Sequence, residues 1–87
     1  MTWQEKGVAI KKIFEEAIRR TKSFEIRAKQ KDVLVKVDAL LRELESGRLD
    51  REIAFFALVG LADVYMVPLT PGDLEDLREL LCAAKTT

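Results

Sequence analysis

The stretch LDREIAFFALVGLADVYMVP, from Leu49 to Pro68, decides how this chain folds. Between Ile53 and Val67 it carries one charged residue, Asp63, in fifteen. Set out at about 100° per residue, its apolar side chains form no single stripe. Ile53, Ala57, Gly60 and Val64 take one side, Phe55, Ala62 and Met66 nearly the opposite one, and Leu58 and Tyr65 lie between. A helix that is apolar all round is buried on most of its sides. Its fifteen residues fall short of the roughly 20 that cross a bilayer. The stretch therefore reads as the central helix of a small all-α protein. Asp50 is placed to cap its start and Glu52 adds negative charge to its first turn,. Pro68 ends it, because the residue before proline avoids the α region.

Upstream, Ile10, Ile13, Phe14, Ala17, Ile18, Thr21, Phe24 and Ala28 recur at steps of three and four, which predicts an amphipathic helix,. Glu15 with Arg19, and Glu16 with Arg20, add pairs four residues apart in the favourable order,. A second apolar set, Ile26, Val33, Val37, Leu40, Leu41 and Leu44, points almost the opposite way. One straight helix cannot aim both sets at one core. The chain should break between about Lys22 and Asp32, with Ser23 and Asp32 as the candidate N-caps,. The alternative is one long unbroken helix whose two halves contact different neighbours. Ser46-Gly47 ends the second helix with a residue that tolerates the left-handed conformation,.

Downstream, Leu69-Thr70-Pro71-Gly72-Asp73-Leu74 is a helix start. Thr70 caps, Pro71 takes the first helical position, Asp73 answers Thr70 as the acid of a capping box, and Leu69 and Leu74 form a hydrophobic staple. Leu74, Leu77, Leu80, Leu81 and Ala84 make the core face that follows. The expected architecture is a single helical domain over residues 1–87, a small four-helix bundle or irregular helical array around the central apolar helix.

Composition narrows the function. Eighty-seven residues bury a small core,, and such chains are often reinforced by disulfides, metals or self-association. A single cysteine, Cys82, and no histidine leave neither an internal disulfide nor a usual zinc ligand set,. No metal and no cofactor is expected. Without histidine the common neutral-pH acid–base group is missing, and the four glycines are isolated rather than gathered in a phosphate loop,. The chain is expected not to be an enzyme. The acidic run Asp73, Glu75, Asp76 and Glu79 lacks the alternation and turn of a calcium loop and reads as a solvated helix start,. Cys82 has little beside it to activate a thiol. The first residues show no apolar secretory core, so a cytoplasmic location, without membrane association, is the expectation,.

Two functions survive. The first is a non-enzymatic protein–protein interaction module, an adaptor or regulator that works as a homodimer. Neighbouring helices should cover the Ile53, Ala57 and Val64 side, leaving Phe55, Leu58, Ala62, Tyr65 and Met66 as the interface with a second copy. Gly60 then marks a close helix approach inside the protomer, and Asp63 the solvent edge. The second is nucleic-acid binding. Residues 1–36 hold ten Lys/Arg against five acids, and residues 37–87 the reverse. Lys11, Lys12, Arg19, Lys22, Arg27, Lys29 and Lys31 would be the phosphate contacts.

Overall fold

Thr2 starts the first helix by a reciprocal cap: its hydroxyl accepts the Glu5 N–H at 3.1 Å, and the Glu5 carboxylate accepts the Thr2 N–H at 3.2 Å. The computed structural model describes residues 2–82, without the side chain of Cys82. Five helices follow in order: α1 (Trp3–Arg19), α2 (Phe24–Gln30), α3 (Asp32–Glu45), α4 (Arg51–Val64) and α5 (Pro71–Cys82). The fold is all-α, four helices of twelve residues or more with the seven-residue α2 inserted after the first. The reading for Cys82, and the place of Ala84 on the last core face, lie outside the described residues.

The chain does break, but the break opens at Arg20, two residues before the expected window, and a second interruption follows at Lys31. The chain leaves α1 at Arg20, and the Ser23 hydroxyl accepts the Ile26 N–H at 3.4 Å to begin α2. Asp32 is not a cap. It opens α3 as its first helical residue, directly after Lys31, whose backbone is itself helical. Because the chain turns before Phe24, that residue leaves the apolar set of α1 and stands in solvent, 77% exposed.

α1 packs on α3 and α5, and α4 packs on the same two, so α1 and α4 occupy opposite corners. The molecule measures 41 × 23 × 20 Å, and its cross-section is two helices by two at the usual spacing of about 8–10 Å. Neighbours run antiparallel. Lys11 of α1 bonds Asp38 of α3 at 3.2 Å, and Arg20 at the end of α1 bonds Asp73 at the start of α5 at 2.7 Å. The core is Ile10, Phe14, Ala17 and Ile18 from α1, Val33, Val37 and Leu44 from α3, Ala54, Phe55, Leu58 and Ala62 from α4, and Leu77 and Leu81 from α5. Gln30 is the one buried polar side chain among the described residues; its Nε2 donates to the Met66 carbonyl at 2.6 Å and ties α2 to the end of α4.

The capping expectations at Gly47, Asp50 and Thr70 hold; the Asp50 carboxylate accepts the Glu52 N–H at 2.8 Å. Gly47 sits at φ +80° and gives its N–H to Leu44, while Arg48 gives its own to Glu43. This is the paired C-terminal closure of a Schellman motif. At α5, Asp73 N–H reaches the Thr70 hydroxyl at 3.1 Å and Thr70 N–H reaches the Asp73 carboxylate at 3.0 Å. The end of α4 differs from expectation: the helix stops at Val64, before Val67, and is closed by Met66 in the left-handed region.

Candidate functional site

The two sides of α4 are the reverse of the sequence expectation. Phe55, Leu58 and Ala62 lie in the protomer core and cannot form an exposed patch. Tyr65 is half-buried, and Met66 alone of that group is exposed, at the turn beyond the helix. The opposite side, expected to be covered, is open. Ile53 is 59% exposed, Phe56 65% and Val64 74%, with Gly60 exposed between them. The reason is geometric. α4 sits at a corner of the bundle, where α3 and α5 cover one flank each and nothing among the described residues covers the outer edge.

Gly60 confirms the inversion. Among the described residues a Cβ built there meets nothing within 4 Å, so none of the five helices approaches it closely. The glycine under close approach is Gly7, buried on α1, where a Cβ would lie 3.5 Å from Leu41 Cδ1. Asp63 is exposed, as the sequence suggested.

Beside the open face runs a groove of about 550 Å³ between α3 and α4. Ala39 and Leu40 from α3 and Ala57, Gly60, Leu61 and Val64 from α4 give it an apolar floor, and Lys36 and Glu43 stand at its rim. Ala39, Ala57 and Gly60 present little side chain there, so another backbone can approach the floor closely,. On the far flank the Arg78 guanidinium lies 4.7 Å from the Phe55 ring centroid, beside Glu52 and Phe56. The open face therefore has an apolar centre with charge at its margins.

The seven basic residues singled out for nucleic acid do not form one surface. Lys11 is paired with Asp38, and Lys12 lines the groove between α1 and α5, opposite Asp76 and Glu79. Arg19, Arg27 and Lys31 do converge, around a pocket of about 190 Å³ with Ile18, Leu34 and Glu15. Among the described residues none of these three makes an ion pair within 4 Å, and the Nε of Arg27 is buried without a hydrogen-bond partner. The Arg27 guanidinium lies 6.0 Å from the centroid of the exposed Phe24 ring. Lys22 and Lys29 are exposed on the turn and helix nearby.

Among the described residues no three His, Cys, Asp or Glu side chains gather as metal ligands, and no helix is long and apolar enough to cross a membrane. No protein-family model, curated protein or solved structure matches the chain.

Proposed function

We propose that the chain is a small, non-enzymatic protein–protein interaction module whose contact surface is the outer side of α4 with the groove it shares with α3. One observation carries this. Ile53, Phe56 and Val64 stand in solvent along one side of a single helix, next to an apolar-floored groove. Scattered apolar residues are ordinary on a protein surface, but a contiguous patch with a polar rim marks a place where another macromolecule docks. An exposed aromatic within it, Phe56, fits the anchors that dominate binding energy,.

A photoreactive phenylalanine analogue in place of Phe56 tests this directly. Irradiation should join it to another polypeptide, while the same analogue at Lys29 gives no adduct. If position 56 yields nothing beyond the Lys29 control, the outer side of α4 is not a contact surface.

The convergence of Arg19, Arg27 and Lys31 beside Phe24 favours a second reading, in which this corner binds a single-stranded nucleic acid through phosphate contacts and base stacking,. Such binding should weaken steeply with salt. It should also fall with Arg19→Gln and Lys31→Gln together. Retention of a labelled oligonucleotide that ignores both changes removes this reading.

A further inference from the structure

The open side of α4 has an internal symmetry. Phe56 lies four residues before Gly60 and Val64 four after it, so all three project from one side of the helix. Gly60 has open space where a Cβ would be. The groove rim is polarised along its length. α3 ends at Glu45 and α4 begins at Arg51, and the two helices pack antiparallel through that short connection. Lys36 therefore stands at the Val64 end of the groove and Glu43 at the Ala57 end.

We infer that the occupant of this face is a second copy of the chain, laid antiparallel across Gly60; this rests on the outer side of α4 being the contact surface. In that register Gly60 faces Gly60, and without side chains there the two backbones approach closely. Phe56 of each protomer packs on Val64 of the other. The two-fold relation sets each α3 alongside its partner's α3 in the opposite direction. Lys36 of one copy then meets Glu43 of the other, and the reciprocal pair forms at the other end. A parallel two-fold would set each α3 on the side of its partner's α5 instead, and Lys36 and Glu43 would not meet,. On the α5 flank, Asp63 of one copy comes to the end of the other that carries both Glu52 and Arg78; Arg78 offsets one of the two carboxylates, and each end keeps one net negative charge. Glu43 already lies 3.4 Å from Arg48 in its own chain, so this pair shares the carboxylate with an exposed intramolecular contact.

Sedimentation equilibrium of the full chain, at tens of micromolar and low salt, should give twice the 9.9 kDa protomer mass. Lys36→Glu should raise the dissociation constant about tenfold, since two exposed ion pairs become two repulsions. Adding Glu43→Lys to Lys36→Glu should recover most of that loss. Gly60→Leu should leave the circular dichroism spectrum of the protomer intact, because its side chain meets open space, yet give a monomer whose melting, unlike that of the wild type, does not depend on concentration. A wild type that remains monomeric overturns the self-docking. So does a dimer that survives Gly60→Leu. A dimer that needs Gly60 but does not respond to Lys36→Glu, or is not rescued by the second reversal, overturns the antiparallel register. A photo-adduct from position 56 with a different protein, alongside a monomeric wild type, removes the second copy while leaving α4 as the contact surface.

Discussion

Met66 ends α4 at φ +56°, a conformation that costs a side-chain-bearing residue roughly 1–2 kcal/mol,. The geometry around it explains why it is held. Met66 gives its N–H to Asp63 at 3.2 Å, Val67 gives its own to Ala62 at 2.7 Å and is itself buried, and Gln30 donates to the Met66 carbonyl. The closure needs the backbone of residue 66 and not its side chain, which is 58% exposed. Met66→Gly should therefore stabilise the protomer by about 0.5–1 kcal/mol, the relief of strain less the extra freedom glycine has in the unfolded chain. That corresponds to a melting midpoint roughly 2–8 °C higher. A lower midpoint would show that the Met66 side chain contributes packing. The sequence hid this turn behind Pro68: a proline marks where a helix cannot continue, not where it stops. Gly60 misled for a related reason, since a small residue in an apolar helix is compatible with close packing and with an uncovered edge alike.

At the scale of the element, helix starts were the most legible features, because each is a local hydrogen-bond problem with few solutions. Thr70 and Asp73 were readable by spacing alone, and Thr2 with Glu5 carries the same signature and could have been read from it,. The sidedness of α4 was not legible from its apolar residues, which surround it. Its charges held the better signal: Glu52 and Asp63 share one flank of the helix, and the core lies away from them on Ala54, Leu58 and Ala62. The start of α5 also predicts a pH dependence. Burial pushes the Asp73 carboxyl up, but the Thr70 N–H and the Arg20 guanidinium outweigh it and hold it below its ordinary value of 3.8. A carboxyl depressed in the folded state stabilises above its unfolded value, and that stabilisation is lost as pH falls through the lower folded value. Asp73→Asn should thus destabilise at pH 6, with the gap to wild type closing below about pH 4. Denaturant unfolding across pH 2–6 measures it. A gap that stays constant with pH would mean the charge of Asp73 does not matter to the cap.

Across the whole molecule, the contrast between a basic first half and an acidic second half is partly consumed inside the fold. Lys11 with Asp38 and Arg20 with Asp73 both join one half to the other, which is why charge asymmetry along the chain did not become a single basic surface. The pairing of the helices is also a tertiary fact. Amphipathic faces announce that α1, α3 and α5 share a core, but not which of them stand side by side. Their arrangement gives α5 a particular weight, because it is one of the two helices that bridge the diagonal pair α1 and α4. Removing residues beyond Val67 deletes the buried Leu77 and Leu81, each worth roughly 1.5–3 kcal/mol. It also breaks the Arg20–Asp73 contact and uncovers the α5-facing flanks of α1 and α4 together. Against a total stability of about 5–15 kcal/mol for a domain, the truncated chain should lose its cooperative melt and much of the helicity of α1, α3 and α4, not the share of α5 alone. Circular dichroism melts of the two chains side by side decide this. A truncated chain that melts cooperatively at an unchanged midpoint would show that α1, α3 and α4 close a core without α5.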